Sequence, residues 1–115
     1  MLSFRIMTDD ELIVFALDLP EAMASSHFGN RDFRVRGKIY LALPNSDFCV
    51  IKLTPGQQQM ALATAPDHVL AVPGGWGTKG WTRLFHLTAD ESTIRALVRQ
   101  AWRNVAPKSI VLPED

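Results

Sequence analysis

The sequence lacks the patterns that mark disulfides, metal sites and membrane spans. Its 115 residues include one cysteine, Cys49, so no disulfide can close within the chain, and a single thiol suits a reducing compartment. No apolar run approaches the length of a membrane span, and acidic residues stand where a signal peptide would carry basic ones. The histidines and Cys49 are not spaced as metal ligands usually are. We therefore expect a cytoplasmic protein without membrane contact and with no bound metal or cofactor.

Catalytic arrangements are equally scarce. A nucleophile needs a neighbouring base and an orienting group, and no such set can be picked out around Cys49 or the serines. Gly75, Gly77 and Gly80 have the glycine spacing of dinucleotide-binding loops, but the residues after them favour a strand where that motif needs a helix. We therefore expect no catalytic residues and a protein that is not an enzyme.

The overall charge argues against strong, general binding to nucleic acid, because 12 basic and 12 acidic residues leave no net charge. The distribution is nevertheless uneven. Residues 1–26 hold one basic and five acidic residues, whereas residues 27–86 hold seven basic and three acidic ones. A basic middle beside an acidic beginning fits either an anionic partner or the pairing of the two segments within the fold.

Local patterns predict three helices and six strands in a single domain that spans residues 1–115. The helices begin at capping boxes, in which Thr8, Thr54 and Thr88 are each followed three positions later by glutamate or glutamine. Alternating or β-favouring runs predict strands at residues 25–28, 32–36, 39–43, 48–53, 69–72 and 81–87. The connections are too short for parallel crossovers. We therefore expect a two-layer α+β sandwich, an antiparallel sheet with the helices on one face.

The most unusual stretch, residues 72–83, is rich in glycine and tryptophan. We expect Gly75, Gly77 or both to adopt φ > 0, a conformation that glycine tolerates. Trp76 and Trp81 offer broad apolar rings next to two cations, so the stretch could hold a phosphate backbone, a base, a planar ligand or only its own core. We expect one or both tryptophans to fill the core, and Trp81 in particular.

A basic cluster surrounds the hairpin turn predicted after residue 36. Arg34, Arg36 and Lys38 alternate with apolar residues and a glycine, so Arg34 and Arg36 are expected on the same side of the strand. Such a cluster fits either a wing that contacts phosphates or an ordinary solvated sheet face.

Three stretches of the chain carry a family pattern: His27-Phe28-Gly29 followed by Asp32-Phe33-Arg34-Val35-Arg36-Gly37-Lys38-Ile39, then Val72-Pro73-Gly74-Gly75-Trp76-Gly77 with Gly80-Trp81-Thr82-Arg83, and finally Ala101-Trp102-Arg103 with Val105-Ala106-Pro107-Lys108. In these stretches, and in their order, the chain resembles the MmcQ/YjbR family over nearly its whole length. The resemblance implies a fold similar to that of secretion chaperones, α-β(3)-α-β(2)-α in two layers. It also implies a double-wing DNA-binding domain and no catalytic set.

From the resemblance and the basic segments together, we predict a DNA-binding and possible regulatory role. The residues predicted to contact DNA are Arg34, Arg36, Lys38, Trp76, Lys79 and Arg83. The glycines predicted to shape the turn beside them are Gly74, Gly75, Gly77 and Gly80. The alternative is a non-enzymatic module that binds a protein, a second copy of the chain or a small ligand through the sheet and the glycine–tryptophan turn.

Overall fold

The computed structural model describes residues 5–114, so residues 1–4 and Asp115 of the predicted single domain lie outside the described part of the chain. Within residues 5–114 there are four helices and six strands. In chain order they are α1 (Asp9–Asp18), β1 (Ala22–His27), β2 (Asn30–Val35), β3 (Lys38–Leu43), β4 (Cys49–Lys52), α2 (Pro55–Thr64), β5 (Val69–Ala71), α3 (Gly75–Thr78), β6 (Trp81–Leu84) and α4 (Glu91–Val105).

The strands form one six-stranded antiparallel sheet in the order β1-β2-β3-β4-β6-β5. Two-residue turns join β1 to β2 and β2 to β3. Phe28 and Gly29 form the first turn with φ of 51° and 78°, and Arg36 and Gly37 form the second with φ of 48° and 82°. Positive φ at both central residues is the geometry whose twist suits a tight hairpin. The chain therefore leaves β2 at Val35, and Arg36 belongs to the turn.

The helices cover one face of the sheet, and the core lies between the two layers. Buried side chains from the strands, such as Phe33, Leu41 and Ile51, belong to one hydrophobic cluster with Trp102 of α4, which is fully buried. Two polar groups of this core are satisfied by backbone of the α1 region. The Tyr40 hydroxyl donates to the Ala16 carbonyl at 2.6 Å, and Trp102 Nε1 donates to the carbonyl of residue 20 at 2.9 Å. The predicted two-layer α+β class is confirmed.

The elements differ from the predictions at one helix cap, in some strand bounds and in the number of helices. The first two capping boxes, at Thr8 and Thr54, are present as predicted. The third capping box, predicted at Thr88, is wrong. Asp90 caps α4 by accepting from the Ser92 N–H, while Thr88 donates to the Phe85 carbonyl. Four strands precede α2, as the local patterns predict, where the family formula has three. β1 begins at Ala22 instead of residue 25, and β6 ends at Leu84 instead of residue 87. The short helix α3, which no pattern predicted, lies between β5 and β6.

Candidate binding site on the open sheet face

The sheet face turned away from the helices, here called the open face, is a continuous surface of mixed apolar and basic character. Register places its residues side by side across four strands. One row crosses from β2 to β6: Asp32, Ala42, Val50 and Arg83. Beside this row, Lys52 of β4 lies opposite Trp81 of β6. Alternation puts the neighbours of these residues, such as the buried Ile51, into the core.

A groove of about 360 Å³ lies on the open face and is here called the aromatic groove. Its central lining comes from the three middle strands and the loop before β4: Ile39, Ala42, Phe48, Val50, Trp81 and Arg83. Its flanks come from opposite sides of the sheet: His27, Pro44, Val72 and Trp76. The volume is at the lower end of the range of roughly 300–1,000 Å³ in which small-molecule sites fall. The groove therefore has room for a small planar group.

Helix α3 presents Trp76 to this groove. The prediction of φ > 0 at Gly75 or Gly77 is wrong, because both residues lie inside the turn of helix, and the positive φ values fall at Gly74 (79°) and Gly80 (107°), just before and after α3. Gly77 is needed for a different reason. A Cβ there would lie 1.8 Å from the Val72 carbonyl oxygen, so only glycine lets α3 pack this closely against the end of β5.

A buried glutamine holds α3 against β6. Gln58 of α2 directs its side-chain amide at three acceptors, the carbonyls of Gly77 and Trp81 and the hydroxyl of Thr82, each at 3.1 Å. Gln58 is 5% exposed, so each of these bonds forms away from competing water. The contacts tie the α3 turn to the helix layer and thereby fix where Trp76 stands.

Both tryptophans of the stretch lie on the open side, so the expectation of Trp81 in the core is wrong. Along β6 the side chains alternate between the two faces, and Thr82 and Leu84 are the residues that face the helices. Trp76 is 64% exposed and Trp81 is half-buried, with ring centroids 6.2 Å apart at 72° in an edge-to-face arrangement. The core position expected for one of them is taken by Trp102.

Three cations accompany the three large aromatic rings of the groove. Lys52 Nζ lies 5.3 Å from the centroid of Trp81, and Lys79 Nζ lies 5.8 Å from that of Trp76. The Arg83 guanidinium lies 4.7 Å from the Phe48 ring. These distances allow cation–π attraction.

The three groove cations are also without acidic partners. Within residues 5–114, Lys52, Lys79 and Arg83 make no ion pair with an acid. Burial lowers the pKa of Lys52, and the positive charge of Lys79 lowers it further. The positive charge around the groove is thus left uncompensated, and an anion bound there would relieve the repulsion between the two lysines.

The basic hairpin contributes less to the site than predicted. Arg34 lies on the open face, but its guanidinium is held by Asp32, with Nε to Oδ1 at 2.8 Å and Nη2 to Oδ2 at 3.1 Å. Arg36, in the β2–β3 turn, binds Glu21 in the same two-pronged way at 3.1 and 3.3 Å. Lys38 is exposed at the start of β3 and lies opposite a core residue, off the open face. The structure thus brings Trp76, Lys79 and Arg83 together, and separates the hairpin cations from them.

The predicted site also missed the residues of the middle strands. Phe48, Val50 and Lys52 alternate along the chain, which is the signal that places them on one side of a strand. That pattern could have identified them as a group. It could not show that they meet the glycine–tryptophan stretch, because the pairing of β4 with β6 joins segments about thirty residues apart.

A second cleft, of about 470 Å³, lies between α1 and the start of α4. Its cations are already paired with acids: Arg5 binds Glu11 at 2.5 Å and Glu91 at 2.7 Å, and Arg95 also binds Glu91. We assign the candidate site to the aromatic groove, although the groove is smaller, because its cations have no such partners among the described residues.

Metal-binding groups and membrane-spanning helices are both missing from the described part of the chain. No group of three or more histidine, cysteine, aspartate or glutamate side chains there is arranged to hold a metal ion. Among the helices of residues 5–114, none combines the length and apolar character needed to cross a membrane.

Comparison with known proteins identifies the family. The model of the YjbR family matches residues 17–104. The crystal structure of Deinococcus radiodurans protein DR2400, described by the domain DUF419, is similar to this chain with a TM-score of 0.72 and 14% sequence identity, covering 92% of this chain and 83% of that one. At this identity the likeness concerns the fold. No protein with curated annotation matches the chain. The chain belongs to the YjbR family.

Proposed function

We propose that this protein is a DNA-binding protein that holds nucleic acid on its open sheet face. One observation carries the proposal: each of the three large aromatic rings of the groove has beside it a cation without an acidic partner among residues 5–114. These cations are Lys52, Lys79 and Arg83. Grooves that bind nucleic acid have two components: cations that neutralise the phosphates, and aromatic rings on which the bases stack.

The local charge of the open face supports this proposal better than the net charge of the chain does. Among the strand residues that the structure describes, the acid on this face is Asp32, and it is neutralised by Arg34. The acidic residues of α1 lie in the other layer, beyond the sheet. An anionic partner approaching the open face therefore meets a basic surface, although the whole chain has no net charge.

A binding role rather than catalysis is part of the proposal. Cys49 is fully buried, and burial raises the pKa of its thiol, so the nucleophilic thiolate is suppressed. His27 is the histidine among the groove-lining residues, and no carboxylate lines the groove to orient it as a catalytic base. We place this function in the cytoplasm, where DNA is accessible and a single unpaired thiol is stable.

A second candidate function is the binding of a protein segment or a small apolar ligand. It is favoured by the ion pairs of Arg34 and Arg36, which withdraw two cations from phosphate contact, and by the largely apolar lining of the groove. Such a ligand would bind through buried apolar area and would respond little to salt. Salt dependence therefore separates the two candidates.

The test is a fluorescence anisotropy titration of labelled DNA at about 50 mM and about 200 mM salt. Neutralisation of three phosphates by Lys52, Lys79 and Arg83 predicts a slope of log affinity against log salt of about −2 on a single strand and about −3 on a duplex. Binding should then weaken at least about 16-fold over this fourfold change in salt. An absence of binding at low salt, or binding with a flat salt response, contradicts the proposal.

A further inference from the structure

We infer that the DNA held on the open face is single-stranded, and that one unpaired base stacks on Trp76 in the aromatic groove. This inference rests on the function proposed above and adds the form of nucleic acid that the site accepts. Three features carry it: the width of the sheet, the exposure of Trp76, and the position of the cations around the groove.

The width of the sheet excludes the insertion of this face into a duplex. Six strands spaced about 4.8 Å apart give a face about 24 Å across, whereas the major groove of B-form DNA is about 12 Å wide. The aromatic groove lies over β3, β4 and β6, and its flanks reach His27 at the end of β1 and Val72 after β5, so it runs across this wide face. Bases that remain stacked inside a duplex cannot reach it, but unpaired bases on a flexible strand can.

Trp76 is built as a stacking platform. Its side chain is 64% exposed, which is unusual for so large an apolar group, and its ring borders the groove. Trp81 supports it edge-on at 6.2 Å, and α3 is fixed from behind by the bond from Gln58 to the Gly77 carbonyl. A platform held in place before binding loses little conformational freedom when a base stacks on it.

The cations lie at the positions expected for contacts with the phosphates on either side of a stacked base. Lys79 adjoins the Trp76 ring, and Lys52 lies close enough to Lys79 to donate to its carbonyl at 2.9 Å. Arg83 lies across the groove against Phe48. A strand with one base over Trp76 can therefore place phosphates on both sides of the groove. Phosphates carry no sequence information, and every base has a stacking face, so we expect little sequence preference.

The experiment compares three probes at one salt concentration: a labelled thymidine oligomer of about 12 nucleotides, the same length of duplex, and an oligomer of the same length that carries abasic sites. We expect the single strand to bind about tenfold more tightly than the duplex, and the abasic oligomer to bind at least about fivefold more weakly than the intact one.

Two variants locate the effect. Trp76→Ala should weaken binding of the intact oligomer by about fivefold or more, leave binding of the abasic oligomer unchanged and keep the salt slope of the parent, because the phosphate contacts remain. Met60→Ala is the matched control, since Met60 is also a large exposed apolar residue (65%) but lies on α2, in the helix layer and away from the open face. The retained salt slope and circular dichroism show that the variants are folded.

The outcomes distinguish this inference from the proposed function. Duplex binding as tight as single-strand binding, or equal losses in Trp76→Ala and Met60→Ala, overturns the base-stacking inference and leaves DNA binding standing. If no probe binds at low salt, both the proposed function and this inference are wrong.

Discussion

The close approach of α3 to the end of β5 leads to a sharp stability prediction for Gly77→Ala. The added Cβ would stand 1.8 Å from the Val72 carbonyl oxygen, whereas ordinary contacts begin at 3.4 Å, so the two backbones must separate by about 1.6 Å. Neither backbone is free to move. The Val72 N–H donates to the Trp81 carbonyl at 3.0 Å, and the Gly77 carbonyl accepts from Gln58 at 3.1 Å.

The expected loss follows from these two constraints. Overpacking costs about 1–3 kcal/mol, and weakening one of the two hydrogen bonds costs about 1 kcal/mol more, so we expect the free energy of unfolding to fall by about 2–4 kcal/mol. Gly75→Ala is the matched control in the same short helix. A Cβ added at Gly75 would meet open space within 4 Å, and the residue has no positive φ, so alanine there should be neutral or stabilise by up to about 1 kcal/mol.

Urea unfolding followed by far-UV circular dichroism measures both variants, because the midpoint shifts with stability while the slope reports the area exposed. A Gly77→Ala protein within about 0.5 kcal/mol of the parent would refute the reasoning. Equal destabilisation by the two alanines would also refute it, because it would mean that α3 tolerates a side chain at neither glycine and that the contact with Val72 is not the cause.

Two further predictions concern charges at the start of α1 and at the β2–β3 hairpin. Hydrogen bonds from the Thr8 N–H, and then from Arg5, lower the pKa of Glu11 in the folded protein. The Glu11 carboxylate therefore contributes its full stabilisation above about pH 4.5, and this stabilisation is lost as the pH falls through the lowered pKa. Glu11→Gln keeps a capping-box acceptor but does not titrate. The urea midpoint of this variant should therefore fall less between about pH 6 and pH 3 than that of the parent. If the variant and the parent lose the same stability over this range, Glu11 is not the source of the pH dependence. Arg34→Ala should destabilise more than Arg36→Ala, because it leaves a carboxylate that is 1% exposed without its partner, whereas the pair made by Arg36 is solvent-exposed on both sides. Thermal melts that rank the two variants in the reverse order contradict this explanation.

The parts of the fold that could be predicted from sequence depend on short-range chemistry. The helix starts at Thr8 and Thr54 were found because a capping box closes within four residues. The start of α4 was misplaced because two candidate caps, Thr88 and Asp90, stand two residues apart, and the one nearer to the helix prevails. The helix α3 was missed because two of its four residues are glycine, which favours turns in a sequence pattern.

The site was harder to predict, since it depends on which face of the sheet the helices cover. Alternation in β6 separates Trp81 and Arg83 from Thr82 and Leu84, but the sequence does not say which pair is buried. Because of its large apolar ring, Trp81 was expected in the core. The space between the sheet and the helices is instead filled by Trp102. Similarly, the partners of Arg34 and Arg36 are set by strand register and by the α1–β1 turn, which no local pattern contains.

The central claim is that DNA is held by the cations of the aromatic groove, and the most direct test compares two double variants that remove the same charge. Lys79→Gln with Arg83→Gln removes two groove cations, and Arg31→Gln with Lys108→Gln removes two exposed cations that lie off the open face. In titrations of single-stranded DNA over the same salt range, the groove variant should bind more weakly and its salt slope should become less steep by about 1.4, while the control keeps the slope of the parent. Equal losses in the two variants, or a groove variant that binds like the parent, would contradict the account.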